Sequence, residues 1–308
     1  MAQVEHRPGS GDLERSPWQT VRDYVAITKP RIIELLLVTA IPSMILAARG
    51  WPDPITAVAV IVGGMLAAGG ANTFNSVYDR DIDALMARTH ARPVASGAVS
   101  ARGGLVLGTV LSLASVAVLA VFANLLAAAL AAAAIAFYAV GYTMLLKRRT
   151  SQNIVWGGAA GCMPVLIAWA AVTGGLTWTP VVLFLIVFWW TPPHYWPLSL
   201  RYRDDYAAAG VPMLPVVADT RAVARSIVIY SWVMVLTSLV LIPVAPMGWA
   251  YAGSAVVLGA VFLVEAHLLR RRALSGTDDV RPMRLFHWSI TYLALLFLAV
   301  AIDPFITG

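Results

Sequence analysis

Charge is what this sequence is short of: 12% of its 308 residues are Asp, Glu, Lys or Arg, while 59% are hydrophobic. Soluble domains carry about a quarter charged residues, so the shortage excludes a soluble globular domain and leaves a polytopic membrane protein. Cysteine is nearly absent. The single Cys162 lies within an apolar run, which excludes an intrachain disulfide, and C-x-x-C-H, the covalent cofactor-attachment motif, does not occur. Residues 1–23 have no apolar core ahead of a small-residue cleavage site and read as a disordered cytosolic tail. No low-complexity stretch or second soluble domain is evident, and residues 24–308 read as one transmembrane domain.

Basic residues are missing from one set of loops. Of the 22 Lys and Arg residues, Arg49 alone falls there, and the tail and the loops after spans 2, 4, 6 and 8 hold the rest. The positive-inside rule makes the basic side cytosolic, together with the N-terminus, and leaves the C-terminus outside. This bias accounts for the net charge of +6 without a nucleic-acid partner.

What is present is long apolar runs. A bilayer core takes roughly 20 apolar residues per helical span, and nine segments qualify: 31–48, 55–78, 103–122, 124–145, 154–173, 180–199, 224–245, 248–269 and 285–303. The expected fold is therefore all-α, with about nine transmembrane helices. Acidic loops follow spans 2 and 6, four helices apart. That spacing suggests two four-helix pseudo-repeats of like orientation plus one added helix, with a shared site between the repeats.

The first acidic loop, "NTFNSVYDRDIDALMARTHARP", sets Asn75, Asp79 and Asp83 at i, i+4 and i+8. On a continuous helix these share one face, where like charges repel unless a cation lies between them. Mg²⁺ suits such a set, because it takes hard oxygens from one or two carboxylates plus substrate phosphates. The neighbouring arginines suit phosphate oxygens. The stretch also fits a solvated interfacial loop whose aspartates pair with Arg80, Arg88 and Arg92. In the second loop Asp204 and Asp205 follow a run in which Pro192, Pro193 and Pro197 interrupt or kink the helix. His194, among those prolines and Trp189, Trp190, Tyr195 and Trp196, is a candidate cavity residue or a belt residue bonded to freed backbone. Tyr142, Lys147, Arg148, Arg149 and Asn153 cluster at the end of span 4, and Lys29 and Arg31 at the start of span 1. Both basic groups also serve as topology determinants. His267 reads as packed or snorkelling.

Asn75, Asp79 and Asp83 match N-x3-D-x3-D, the first motif of UbiA-type intramembrane prenyltransferases, and the chain resembles that superfamily from about residue 27 to residue 303. "DRDIDALMARTHARP", "YTMLLKRRTSQNIVWGGAAG", "TPPHYWPLSLRYRDDYAAAGVPMLP" and "TKPRI" resemble its haem-farnesylating branch. The resemblance implies a central cavity with two aspartate-rich loops that bind Mg²⁺ and a prenyl diphosphate at the cytosolic mouth. It implies transfer of a farnesyl group from farnesyl diphosphate to a vinyl group of protohaem IX with addition of water, giving haem O, in the cell membrane. A haem O-utilising enzyme then acts downstream. The carried-over metal ligands are Asn75, Asp79, Asp83 and Asp205, and these join His194 as catalytic residues. Lys147, Arg148, Arg92, Arg88, Lys29, Arg31, Tyr142 and Asp204 are expected around the substrate. Two departures stand out. A second D-x3-D motif is not complete, since Ala209 follows Asp205 at the matching position, and Ser76 stands where relatives often have an acid. A quinone-precursor prenyltransferase of the same superfamily and a two-repeat transporter are the alternatives, although a transporter would place ionisable groups at the midplane.

Overall fold

The structure, a computed structural model, describes residues 16–276 and 279–307, with only the backbone of Arg31 and of residues 32, 34, 35 and 307. Helix starts follow prolines and capping side chains. Pro17 opens α1 (Pro17–Ile27) and Pro30 opens α2 (Pro30–Ala48). Asp53 caps α3 (Pro54–Tyr78) by accepting from Thr56 N at 2.8 Å. The six-residue α4 (Arg80–Leu85) follows. Ser100 caps α5 (Ala101–Phe122), and Asn124 caps α6 (Leu125–Ala136). Without interruption α6 continues as a π-helical segment, Phe137–Leu146.

The second half repeats the order. Helices α7 (Asn153–Thr173) and α8 (Trp178–Arg201) lead into a second six-residue helix, α9 (Arg203–Ala208). After the single turn α10 (Leu214–Val217) come α11 (Thr220–Val244), α12 (Trp249–Leu274) and α13 (Pro282–Thr307). Seven of the helices are long and apolar enough to cross a membrane by themselves. The shorter apolar stretch of α2 and the proline-containing α8 pack within the same bundle, which gives nine long helices among the described residues. This is the all-α multi-pass architecture expected from the apolar runs.

Packing in the two halves corresponds. Helix α3 packs most extensively on α5, as α8 does on α11; α2 lies on α3 as α7 lies on α8, and α5 on α6 as α11 on α12. The ninth long helix, α13, closes the bundle against α12, α8 and α2. Apolar burial drives little association in lipid, so polar bonds between helices carry weight. Ser115 Oγ donates to Gly63 O at 2.7 Å, and Asn124 Nδ2 to Ala170 O at 2.8 Å. Buried Asp303 accepts from Gly248 N and Tyr251 N at the start of α12.

Three expectations change in detail. Pro192, Pro193 and Pro197 do not interrupt α8, which remains one helix; membrane helices tolerate proline because neighbours re-satisfy the freed backbone groups. The second span does not run on through the first acidic loop. Helix α3 ends at Tyr78, with Asp79 at its C-cap, before α4 restarts at Arg80. Of the tail, residues 1–15 lie outside the described residues, and from Pro17 the chain is helical.

Candidate active site

Although α3 and α4 are separate, Asp83 N donates to Asp79 O at 2.8 Å, which carries the helical register across the junction. Asn75, Asp79 and Asp83 therefore stay on one buried face, the two carboxylates with 0% and 2% of their surface exposed, while Asp81 points out. Buried carboxylates need compensation, and here it comes from distant parts of the chain. Lys147 pairs with Asp79 Oδ2, and Arg148 Nη2 lies 3.3 Å from Asp79 Oδ1. Arg92 holds Asp83 through both carboxylate oxygens at 2.9 and 2.8 Å. Arg148 also grips Asp81 with two bonds of 2.7 Å and lies 4.9 Å from the centre of the Tyr78 ring. Those bonds hold the Asp81 carboxyl down at about 2. Arg80 turns back to Val77 O and takes no part.

Lys29 reaches the same point from the turn before α2. Its backbone is left-handed, with φ 56, a conformation that strains a residue with a side chain. Asn72 Nδ2 and Ser76 Oγ hold that turn on α3 by donating to Thr28 O at 3.0 Å and Ile27 O at 3.3 Å. Ser76, where relatives often have an acid, thus clamps the turn. The result is Lys29 Nζ donating to Asn75 Oδ1 at 2.6 Å, while Asn75 Nδ2 donates to Asp79 Oδ2 at 2.6 Å and to Thr143 Oγ1 at 3.2 Å. Packing around the ammonium, then the charges of Arg92 and Lys147, push Lys29 down to about 7. The side chain of Arg31 lies outside the described residues.

The π-helical segment brings the basic cluster to Asp79. Lys147 N bonds to Tyr142 O, the wide-turn spacing of this segment, and such bulges recur at functional sites. Thr143 and Tyr142 belong to it. The Tyr142 ring lies against Gly157, where a Cβ would sit 2.3 Å from ring carbon Cδ2. Asn153 donates to Lys147 O at 3.0 Å but leaves its buried Oδ1 without a donor, and buried Arg148 Nε has no acceptor. These two unpartnered groups flank the ion-pair cluster.

The second loop joins the first through Arg88. Its backbone N lies 3.4 Å from Asp205 Oδ2, its side chain donates to Tyr206 OH at 3.4 Å, and its guanidinium lies over the Tyr202 ring. Ile82 and Met86 bury against Tyr206, Val211 and Met213. Asp204 is exposed. Among the described residues no three His, Cys, Asp or Glu side chains gather around one point. The oxygens on offer, two carboxylates and the carboxamides of Asn75 and Asn153, are nonetheless the hard donors that Mg²⁺ accepts, and it needs only one or two carboxylates when a phosphate completes the shell.

His194 sits apart from the aspartates, stacked between Trp190 at 4.1 Å and Phe286 at 4.7 Å. Ser289 Oγ lies 2.6 Å from His194 Nδ1 and donates its own proton to Phe286 O at 2.6 Å. A hydroxyl has one proton, so Nδ1 is the donor to Ser289, and Nε2 keeps its lone pair. Ser289 and Thr143 escaped sequence reasoning, because an isolated serine or threonine in an apolar run carries no signal. His267 bonds to Leu263 O within its own helix, as a packed residue.

Beneath Asn75 an apolar cavity of about 130 Å³ opens between α2, α3, α6 and α7. Asn72, Ala71 and Tyr138 line its upper end, and Ala40, Val60 and Ile167 its lower end. The arrangement sets cations and hard oxygens beyond the Asn72 end of an apolar tunnel.

Residues 36–290 match the UbiA prenyltransferase family. The chain is 53% identical over 314 residues to the protoheme IX farnesyltransferase of Streptomyces coelicolor, covering 99% of this chain and 100% of that one. It is 58% identical to the protoheme IX farnesyltransferase of Clavibacter sepedonicus over 91% of this chain and 92% of that one. Among solved structures, a digeranylgeranylglyceryl phosphate synthase aligns with a TM-score of 0.76 at 15% identity, over 93% of this chain and 99% of the other. A UbiA homolog from Archaeoglobus fulgidus bound to GPP and Mg²⁺ aligns with a TM-score of 0.62 at 15% identity, over 91% and 99%.

Proposed function

We propose a reaction from one premise: this chain belongs to the UbiA prenyltransferase family. The chain transfers a farnesyl group from farnesyl diphosphate to a vinyl group of protohaem IX, with addition of water, giving haem O and diphosphate. One observation carries this reading. Lys29, Arg92, Lys147 and Arg148 converge on buried Asn75, Asp79 and Asp83 at the head of an apolar tunnel, which suits a molecule with a polyanionic head and a hydrocarbon tail. The names of relatives at 53% and 58% identity identify the acceptor as haem.

The cations bind the diphosphate oxygens and stabilise the negative charge that grows as the carbon–oxygen bond breaks. Arg148 Nε, without an acceptor in the fold, has a bond to offer a phosphate oxygen. Mg²⁺, when bound, supplies further charge neutralisation as a Lewis acid; Asn75, Asp79 and Asp83 would hold it, with Asp205 approaching from the second loop. The electron pair of the breaking bond leaves with the diphosphate, and the allylic chain becomes a delocalised cation. The tunnel walls keep bulk water away from it, and Tyr138 and Tyr142, with ring centres 5.4 Å apart, offer π faces to a cation.

The vinyl π pair then forms the new carbon–carbon bond, and water adds to the cation left beside the porphyrin ring. His194 Nε2 takes the proton released by that water, because the Ser289 bond leaves its lone pair free. We place the aspartate-rich end in the cytosol of a cell-membrane protein, following the loop charges. Membranes containing the chain, given haem, Mg²⁺ and farnesyl diphosphate, should yield haem O in the mass spectrum of extracted haems. Prenylation of an aromatic acid with haem untouched would overturn the assignment of acceptor.

A further inference from the structure

We infer that Gly64 and Gly161 hold open the depth that the prenyl chain can reach in the tunnel, so that they limit its length; this rests on the farnesyl-transfer reading. Both glycines lie inside long helices, α3 and α7, where glycine costs about 1 kcal/mol against alanine. Neither has the positive φ that calls for glycine. Close packing does not explain them either, since a Cβ added to either residue meets nothing within 4 Å. The neighbouring Gly63 shows what a packing glycine looks like: a Cβ there would lie 2.7 Å from Leu119. Gly64 and Gly161 both line the apolar cavity, so the space their missing side chains leave is tunnel.

Their depths order them. At a rise of 1.5 Å per residue, Gly64 lies about 12 Å below Asn72, at the upper end, and Val60 one turn further. Gly161 lies about 12 Å below Asn153 on the facing helix, whose carboxamide bonds to Lys147 O beside the diphosphate cluster. Below Gly64 the tunnel closes on Ala40, Val60 and Ile167, which belong to a packed cluster with Met44 and Leu119. The far end of the prenyl chain therefore lies beside Gly64, above a floor of Val60 and Ile167. A side chain at Gly64 takes the place of that end, and a smaller residue at Ile167 makes room for a longer chain.

The test uses the full chain in lipid nanodiscs with haem, Mg²⁺ and the C10, C15 and C20 prenyl diphosphates, with extracted haems read by mass spectrometry. Binding of each diphosphate in the absence of haem is followed in parallel by tryptophan fluorescence. Burying one five-carbon unit is worth up to about a thousandfold in affinity. Gly64→Leu should therefore move the C15 to C10 preference by roughly a hundredfold toward C10, in product and in binding. Gly161→Val should disfavour both donors, and Ile167→Ala should admit C20. Gly64→Ala, which fits open space, controls for folding. Unchanged C10, C15 and C20 ratios in folded Gly64→Leu and Ile167→Ala proteins overturn the gauge; if Gly64→Leu does not fold, Gly161→Val and Ile167→Ala decide. Failure of the wild type to prenylate haem with any donor would overturn the proposed reaction instead, and the binding series would still judge the gauge.

Discussion

Replacing Asp79 by asparagine changes one oxygen to an amide nitrogen at the best-compensated point of the site. Asn75 Nδ2 and Lys147 Nζ converge on Asp79 Oδ2, and Arg148 Nη2 approaches Oδ1. An amide has one acceptor oxygen, so in either flip its NH₂ group faces at least one of these donors. The buried mismatch and the unpaired Lys147 cost about 3 kcal/mol, a loss that a nine-helix bundle can absorb because Arg148 retains Asp81. Activity should suffer far more. Losing one preorganised electrostatic contact at a reacting centre lowers rates by about 10²- to 10³-fold, and here the hard oxygen needed at the diphosphate goes with it. Haem O formed in membranes by Asp79→Asn should fall by about a thousandfold, while the detergent-solubilised protein still melts cooperatively. Product within about threefold of wild type, with the protein folded, would refute the assignment of Asp79 to the diphosphate site.

Other outcomes follow from single contacts. Arg148→Lys cannot span Asp79 and Asp81 as a guanidinium fork does, so diphosphate affinity measured by calorimetry should weaken by one to two orders of magnitude, about 1.5–3 kcal/mol. Gly157→Ala drives a Cβ into the Tyr142 ring and should lower turnover without preventing insertion; full turnover would show that Tyr142 is free to move. Ser289→Ala releases the His194 tautomer and should lower haem O yield with farnesyl diphosphate binding unchanged, while Ser289→Thr restores it; equal yields from all three proteins would remove Ser289 from the mechanism. Lys29 falls from 10.5 to about 7 in the folded chain, so between those values the unfolded chain binds more protons and stability rises with pH, the penalty being complete below pH 7. Lys29→Met should flatten that slope in melts from about pH 7 to about pH 10, and an unchanged slope would assign it elsewhere.

The nine spans were legible because membrane helices announce themselves by length and hydropathy, and each observed long helix agrees with its expected span to within a few residues. The face shared by Asn75, Asp79 and Asp83 was legible for a similar reason: it needs only local periodicity, and it survived the break after Tyr78. Pairing across the fold was not. Nothing in the chain says that Lys147 takes Asp79 while Arg92 takes Asp83, since 68 residues separate the first pair and several arginines were equally near in sequence. The positional likeness of the two acidic loops was readable, but their unequal burial was not. Asp204 is exposed and, among the described residues, Asp205 meets only a backbone N–H, because Tyr206 rather than a carboxylate turns inward.

The wide-turn stretch from Phe137 to Leu146 makes the basic cluster of Lys147 and Arg148 sensitive to helix register. Relaxation of that stretch to ordinary α spacing, with no residue gained or lost, would swing everything beyond it by about 100° around the helix axis. Lys147 and Arg148 would then point toward lipid although every side chain of the cluster remained encoded, a lesion that no substitution scan of those residues would reveal.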